Sequence, residues 1–171
     1  MTFHCFGEIA LHVFHPRNTG QLVVARNVEE SPVQLGGGAA MAAQAIHRVG
    51  QKVKLHGLCG DDRGGDLLTS LCGAAGFDGP LHANDAGTSA VYLCHQVGVV
   101  EGLMIEPGGP SPDLLVERVD SIAPGDTILC PFFPGYASLA QKLSECDARL
   151  LLDAGFAPWL SDIDAYAAAL A

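Results

Sequence analysis

The sequence predicts an α/β fold in which the strands of a parallel sheet alternate with helices. Short apolar segments at 126–130 and 149–153 each lie next to a segment with helical periodicity, and such alternation is typical of parallel βαβ units. Two further segments, 13–35 and 88–106, are rich in strand-type residues and have no helix of their own. We expect these two segments to form a small separate sheet, a lid over the strand ends of a single domain spanning 1–171.

Apolar spacing and helix start and stop signals predict the element boundaries. A first strand over 2–13 is interrupted at Gly7. Leu67, Leu68 and Leu71 are expected to share the buried face of the second helix. The predicted helices lie at 39–49, 66–75, 110–119, 136–146 and 162–170, and the remaining strands at 53–58, 88–97, 99–106, 126–130 and 149–153.

The stretch 35–65 reads as a triple-glycine loop, an alanine-rich helix, a short strand and a glycine-aspartate turn. Gly36, Gly37 and Gly38 allow the backbone to approach a ligand closely, and a helix that begins there can hydrogen-bond an anion or hydroxyl groups. A tight turn with close packing explains the same glycines equally well. Neither nucleotide signature fits, because no Gly-Lys-Ser/Thr follows the loop and Met41 stands where a dinucleotide fingerprint has its third glycine.

The composition excludes several classes of partner. The net charge is −10 with only nine Lys and Arg, which argues against binding to nucleic acid or to an anionic membrane. The six cysteines form no C-x-x-C pair and no signal-type segment is evident, so we expect a reducing, cytoplasmic location. The seven histidines are spread singly, which makes a zinc site unexpected. His4, His47 and His82 are interpreted as surface or partly buried residues.

The stretch 36–65 resembles the N-terminal signature of the ribokinase/PfkB carbohydrate kinases. That signature combines a small-residue glycine loop with an asparagine, small residues and two later glycines, followed by a GDDxxG turn. The matching residues are Gly36, Gly37, Ala39, Ala43, Gly50, Gly60 and the run Asp61-Asp62-Arg63-Gly64-Gly65. Weaker similarities extend the resemblance along the chain, at Gly7-Glu8-Ile9, Thr88-Ser89-Ala90 and Leu151-Leu152-Asp153.

The resemblance implies a ribokinase-like, Rossmann-type α/β sandwich with a small β lid, of which the C-terminal half is missing here. It also implies transfer of the ATP γ-phosphoryl group to a hydroxyl of a sugar or nucleoside, with ATP and Mg²⁺ as cofactors of the full-length family. Substrate contact in that family comes through the loop backbone, here Gly36, Gly37 and Gly38. Two pocket positions depart from the family: its asparagine is Met41, and its first-strand aspartate is His12, which can still donate and accept hydrogen bonds.

The family's GAGD-type segment supplies the anion hole and the general base, and G-A-G-D occurs nowhere in this sequence. We therefore predict no catalytic residue in this chain, no tight binding of ATP or Mg²⁺, and little or no kinase turnover. A non-catalytic sugar- or nucleoside-binding module, or a decayed kinase remnant, is the alternative, and a poorly folded fragment is a third. Asp61 and Asp62 are interpreted as turn residues rather than metal ligands. Exposed edges of the lid strands suggest a homodimer.

Overall fold

The structure, a computed structural model, describes residues 1–15, 33–83, 89–97, 99–105, 111–131 and 134–153. Within these ranges the helices are α1 (Gly38–Arg48), α2 (Arg63–Ala74) and α3 (Ala137–Ser144), with 3₁₀ helices at Pro112–Ser121 and Pro134–Tyr136. The strands are β1 (Phe3–Phe6), β2 (Ala10–His15), β3 (Val33–Gly36), β4 (Val53–His56), β5 (Leu58–Gly60), β6 (Leu81–Ala83), β7 (Ala90–Val97), β8 (Val99–Ile105), β9 (Thr127–Pro131) and β10 (Arg149–Asp153).

The central sheet is parallel, with the strand order β10-β9-β1-β4. One of its faces packs on α1 and α2 through a cluster that includes Cys5, Leu55 and Leu68. The other face packs on the longer 3₁₀ helix and α3 through a cluster that includes Phe6 and Leu139. Helices on both faces of a parallel sheet give the three-layer α/β architecture that the alternating pattern predicts.

A second sheet is separate from the central one and has the order β3-β2-β7-β8. β3 comes from the predicted segment 13–35, β7 and β8 come from 88–106, and most of β2 belongs to the predicted first strand. Residues 16–32 of the first segment lie outside the described residues. β7 and β8 pair as an antiparallel hairpin. β2 pairs antiparallel with β3 and parallel with β7. Residues 7–9 connect β1 to β2, so the first predicted strand divides between the two sheets at Gly7. The role of this second sheet as a lid remains a prediction.

Three of the predicted elements need correction. The strand expected over 53–58 is interrupted at Gly57, where a Cβ would lie 2.5 Å from the Ile9 side chain, and it becomes β4 and β5. Leu67 is 39% exposed and does not share the buried face of α2 with Leu68, because consecutive residues lie about 100° apart around a helix. α2 also begins three residues earlier than predicted, after the N-cap Asp62. The helix expected at 110–119 is a 3₁₀ helix.

The helix predicted at 162–170 lies outside the described residues. In the part of the chain that the structure describes, no helix combines the length and the apolar character needed to cross a membrane.

Candidate functional site

The triple-glycine loop lies at the carboxyl end of the central sheet. α1 begins there, and the Ala39 amide donates a hydrogen bond to the Glu8 carbonyl just beyond β1, at 3.2 Å. Gly7, with a φ of 135°, packs closely against Pro131 at the end of β9. The ends of two neighbouring strands and the start of α1 therefore converge, at the edge where open α/β sheets place their ligand sites.

His12 reaches from the second sheet onto this loop. Its Nε2 accepts a hydrogen bond from the Gly37 amide at 3.2 Å, and its ring occupies the space where a Cβ on Gly36 would be. Burial lowers the pKa of His12, so the ring is neutral at neutral pH. Because Nε2 accepts, the proton of the neutral ring resides on Nδ1.

The three glycines have different reasons to be glycine. Gly37 has a φ of 89° and a ψ of 153°, and a Cβ there would lie 2.5 Å from the Glu8 carbonyl oxygen. Gly36 is restricted by the His12 ring, whereas a Cβ on Gly38 would have no neighbour within 4 Å. Packing thus accounts for Gly36 and Gly37. Gly38 is the exposed position of the loop, and no contact within the described chain requires a glycine there.

The predicted site residues are brought together only in part. His12, Gly36 and Gly37 are in contact, while Gly38 and Met41 lie exposed in the first turns of α1, with Met41 58% exposed. Met41 therefore presents its apolar thioether side chain at the surface. Substrate contact by these five residues stays a prediction.

A second polar cluster joins the start of α2 to the second sheet. The Asp62 carboxylate caps α2 by accepting from the Gly65 amide at 2.8 Å, and it also accepts from the Ser89 amide at 2.9 Å and the Ser89 hydroxyl at 2.7 Å. The Ser89 hydroxyl in turn accepts from the Gly60 amide at 3.1 Å. Burial alone would raise the pKa of Asp62, but these hydrogen bonds lower it overall.

This arrangement favours the interpretation of Asp62 as a turn residue, because both of its carboxylate oxygens accept hydrogen bonds from groups within the protein. Within the described ranges, no group of three or more His, Cys, Asp or Glu side chains is placed to hold a metal ion. A cavity of about 400 Å³ lies elsewhere, at the opposite end of α1, and Gly50, Lys52 and Lys54 contribute to its lining. Gly50 and Gly76 follow α1 and α2, so the cavity lies beside the carboxyl ends of both helices.

Sequence reasoning missed a buried polar chain under the sheet. The interpretation of His4 as a surface or partly buried residue is wrong: His4 is 1% exposed and hydrogen-bonded to His56 and Asp126. The available signal was the alternation of His4 with Cys5 and Phe6 in an apolar strand, which puts an imidazole on a buried face. Its partners come from distant parts of the sequence, and only the strand register brings them together.

No protein-family model matches the chain, and no curated protein matches it either. Solved structures do. A fructokinase from Xylella fastidiosa matches with a TM-score of 0.68 at 22% identity, over 93% of this chain and 54% of its own. Aminoimidazole riboside kinase from Salmonella enterica gives a TM-score of 0.66 at 17% identity, over 99% and 56% of the two chains. An uncharacterized sugar kinase from Pyrococcus horikoshii gives 0.67 at 14% identity, over 99% and 59%.

The chain thus spans a little more than half the length of the kinases that it matches. The likeness covers the parallel sheet, its flanking helices and the second sheet together, as coverage of more than nine tenths of the chain requires. The chain has the ribokinase-like α/β fold.

Proposed function

We propose that this chain is the substrate-binding part of an ATP-dependent kinase that phosphorylates a hydroxyl group of a sugar or nucleoside. The observation that carries the proposal is the position of His12. It extends from the second sheet onto the glycine loop at the carboxyl end of the central sheet, so that both sheets contribute to one polar surface. The fold supports the same reading, since its solved neighbours include a fructokinase and a riboside kinase.

The chemistry of the surface suits uncharged hydroxyl groups. His12 is neutral and holds its proton on Nδ1, while Nε2 is used by the Gly37 amide. Gly38 leaves the backbone open at the start of α1, where amide groups and the helix dipole favour oxygen acceptors. Met41 supplies an exposed apolar side chain next to them, suited to the carbon face of a sugar or to a base. We propose Gly38 and His12 as hydroxyl contacts, with Gly36 and Gly37 shaping the loop that positions them.

ATP and Mg²⁺ enter the proposal as the cofactors of the complete enzyme. A bound Mg²⁺·ATP would supply the phosphoryl group. In the described residues no acidic cluster is placed for the ion, and the sequence contains no G-A-G-D segment. We propose that nucleotide binding and the general base come from outside these residues, and that this chain alone transfers no phosphoryl group.

Ligand-dependent thermal stabilisation tests the proposal. The purified chain is heated with a panel of hexoses, pentoses and nucleosides, each alone and with ATP and Mg²⁺. A ligand at a hundred times its Kd adds about 2.7 kcal/mol to the unfolding free energy, which is several degrees in a domain of this size. We expect a shift with one class of sugar or nucleoside, no shift with ATP, and no phosphorylated product by mass spectrometry.

Two variants connect any shift to the site. His12→Ala should remove the ligand shift, whereas His47→Ala, which alters an exposed histidine at the far end of α1, should retain it. A ligand shift of unchanged size in His12→Ala would refute the assignment of the site. Stoichiometric phosphorylation of a sugar by the chain alone would refute the proposal that nucleotide binding and the general base come from outside these residues.

The alternative, a non-catalytic binding module or a decayed remnant, makes distinct predictions. A remnant would show no shift with any ligand. A binding module would show the same sugar shift as a kinase part, so reading the source transcript past the codon for Ala171 separates them. A GAGD-like segment in the continuation supports the kinase, and an immediate stop codon supports the module.

We also propose that two copies of the chain associate through the second sheet. Among the described strands, β3 and β8 end the order β3-β2-β7-β8, and an edge strand offers unpaired amides and carbonyls to another edge. Light scattering over a range of high protein concentrations checks this. A strictly monomeric mass throughout would count against the dimer.

A further inference from the structure

Three buried residues outside the candidate site form a hydrogen-bonded chain beneath the central sheet. His4 Nδ1 lies 3.0 Å from His56 Nε2, and His4 Nε2 lies 3.1 Å from Asp126 Oδ2. The three residues are between 1% and 8% exposed. His4 lies on β1, His56 lies on β4, and Asp126 directly precedes β9. The hydrogen-bonded side chains therefore cross three neighbouring strands of the parallel sheet.

Backbone amides keep the Asp126 carboxylate ionised at one end of this hydrogen-bonded chain. Asp126 accepts hydrogen bonds from the Thr2 amide at 2.7 Å and from the Ala123 amide at 3.1 Å. These bonds, the one from Thr2 foremost, lower the pKa of Asp126, so its carboxylate stays ionised and can only accept. Hydrogen bonding to Asp126 therefore requires a proton on Nε2 of His4.

The remaining proton positions follow from that requirement. A neutral His4 with its proton on Nε2 presents a lone pair at Nδ1, which needs a donor. His56 must then carry its proton on Nε2. The Phe6 ring stacks on the His56 ring with centroids 4.3 Å apart, which holds the imidazole in this orientation. As long as both imidazoles are neutral, this is the one arrangement of protons that satisfies all three residues.

The surrounding charges oppose any further proton. Lys54 on β4 and Arg118 on the 3₁₀ helix both lower the pKa of His56, in addition to burial and His4. Burial also lowers the pKa of His4, and Lys54 acts in the same direction, while only Asp126 acts against them. A proton on His4 would moreover set two N–H groups against each other across the 3.0 Å contact unless His56 changed its tautomer.

We propose that the hydrogen-bonded chain His56–His4–Asp126 makes the fold acid-sensitive. It joins β1, β4 and the start of β9 through neutral imidazoles, and mildly acidic solution favours the unfolded polypeptide, which takes up protons that the buried histidines do not. In the unfolded polypeptide both histidines take up a proton near pH 6.5. In the folded protein burial depresses the pKa of both, to about 3 for His56. Below pH 6.5 the unfolded state therefore binds more protons, and the contribution to stability is complete above that pH and lost as the pH falls toward 3.

Urea unfolding of the whole chain at a series of pH values from 7.5 to 5.0 tests the proposal. His56 alone should increase the unfolding equilibrium constant by about tenfold between pH 6.5 and pH 5, and two histidines by up to about a hundredfold. The amide of His56→Gln can still donate to His4 but does not titrate. In this variant the rise of the unfolding equilibrium constant between pH 6.5 and pH 5 should be about tenfold smaller than in the wild type. His47→Gln removes an exposed histidine and should keep the wild-type profile.

The same pH profile in His56→Gln and in the wild type would overturn the proposal. If His56→Gln does not fold, imidazole NMR of the wild type decides. Protons on Nε2 of both His4 and His56, with no titration of His56 down to pH 5, would support it. Titration of His56 between pH 6 and pH 7 in the folded protein would refute it.

Discussion

Replacing Gly37 or Gly38 with alanine separates two roles within the glycine loop. The two residues are adjacent, and each substitution adds one methyl group. At Gly37 that methyl group would lie 2.5 Å from the Glu8 carbonyl oxygen and 2.8 Å from the Ile9 Cα, on a backbone with a φ of 89°. At Gly38 it would have no neighbour within 4 Å, on a helical residue.

The magnitudes follow from these contacts. A side chain in the sparsely populated region around a φ of 89° and a ψ of 153° costs about 1–3 kcal/mol. Overlap with backbone, which cannot rotate away as a side chain can, adds about 1–3 kcal/mol. We expect Gly37→Ala to lose about 2–6 kcal/mol of unfolding free energy, a large part of the roughly 5–15 kcal/mol of a typical domain. Gly38→Ala should not lower it by more than about 0.5 kcal/mol, because the added methyl group has no neighbour and alanine is the better helix former.

Urea unfolding followed by circular dichroism at pH 7.5 measures both variants against the wild type. If Gly37→Ala remained within about 1 kcal/mol of the wild type, or if Gly38→Ala lost as much stability as Gly37→Ala, the packing account of the loop would be wrong. Once a ligand has been identified, Gly37→Ala and Gly38→Ala can also be compared in a binding assay. Gly38→Ala should then weaken binding of a substrate that approaches the open loop, with stability preserved.

Other substitutions probe the packing and the second polar cluster. Asp62→Ala should lose about 1–3 kcal/mol in urea unfolding, because it removes the cap of α2 and the partner of Ser89, and Asp62→Asn should lose less. Leu139→Ala, at a fully buried site, should lose about 2–5 kcal/mol, against less than about 1 kcal/mol for the partly exposed Leu67→Ala. Iodoacetamide at pH 7.5 should label the partly exposed Cys146 before the four buried cysteines that the structure describes, as peptide mass spectrometry will show. Burial raises the pKa of Cys146 too, but it raises the pKa of those four thiols to about 11 or 12. Those slower thiols are Cys5, Cys59, Cys72 and Cys130.

Local patterns were sufficient for much of the fold. α1 follows from a run of helix formers that ends before Gly50, whose φ of 78° suits the glycine at a helix end. The hairpin of β7 and β8 follows from two strand-type segments on either side of position 98. The short apolar strands β9 and β10 lie within one residue of the predicted bounds. In each case the deciding information lies within about ten residues of sequence.

The features that were missed depend on contacts between distant residues. Nothing near His4 shows that its partners are His56 and Asp126, because that requires the order of β4, β1 and β9 in the sheet. The start of α2 was predicted three residues too late, because its N-cap Asp62 is held in place by Ser89, 27 residues away. Likewise, two of the three loop glycines are explained by distant residues: His12 restricts Gly36, and Glu8 restricts Gly37.

The register of the second sheet has a mechanical consequence. Ala10 and Ala90 are partners on β2 and β7, and each follows a fixed point: the Glu8 carbonyl bonded to α1, and Ser89 bonded to Asp62. If the sheet turned as a unit, these two neighbouring points would define its axis. The eight residues of β7 form a lever of about 26 Å, so a turn of about 10° moves its far end by roughly 4–5 Å. His12, two residues from the axis, would move by only about 1 Å, so its imidazole would stay near the glycine loop while the far edge of the sheet moved.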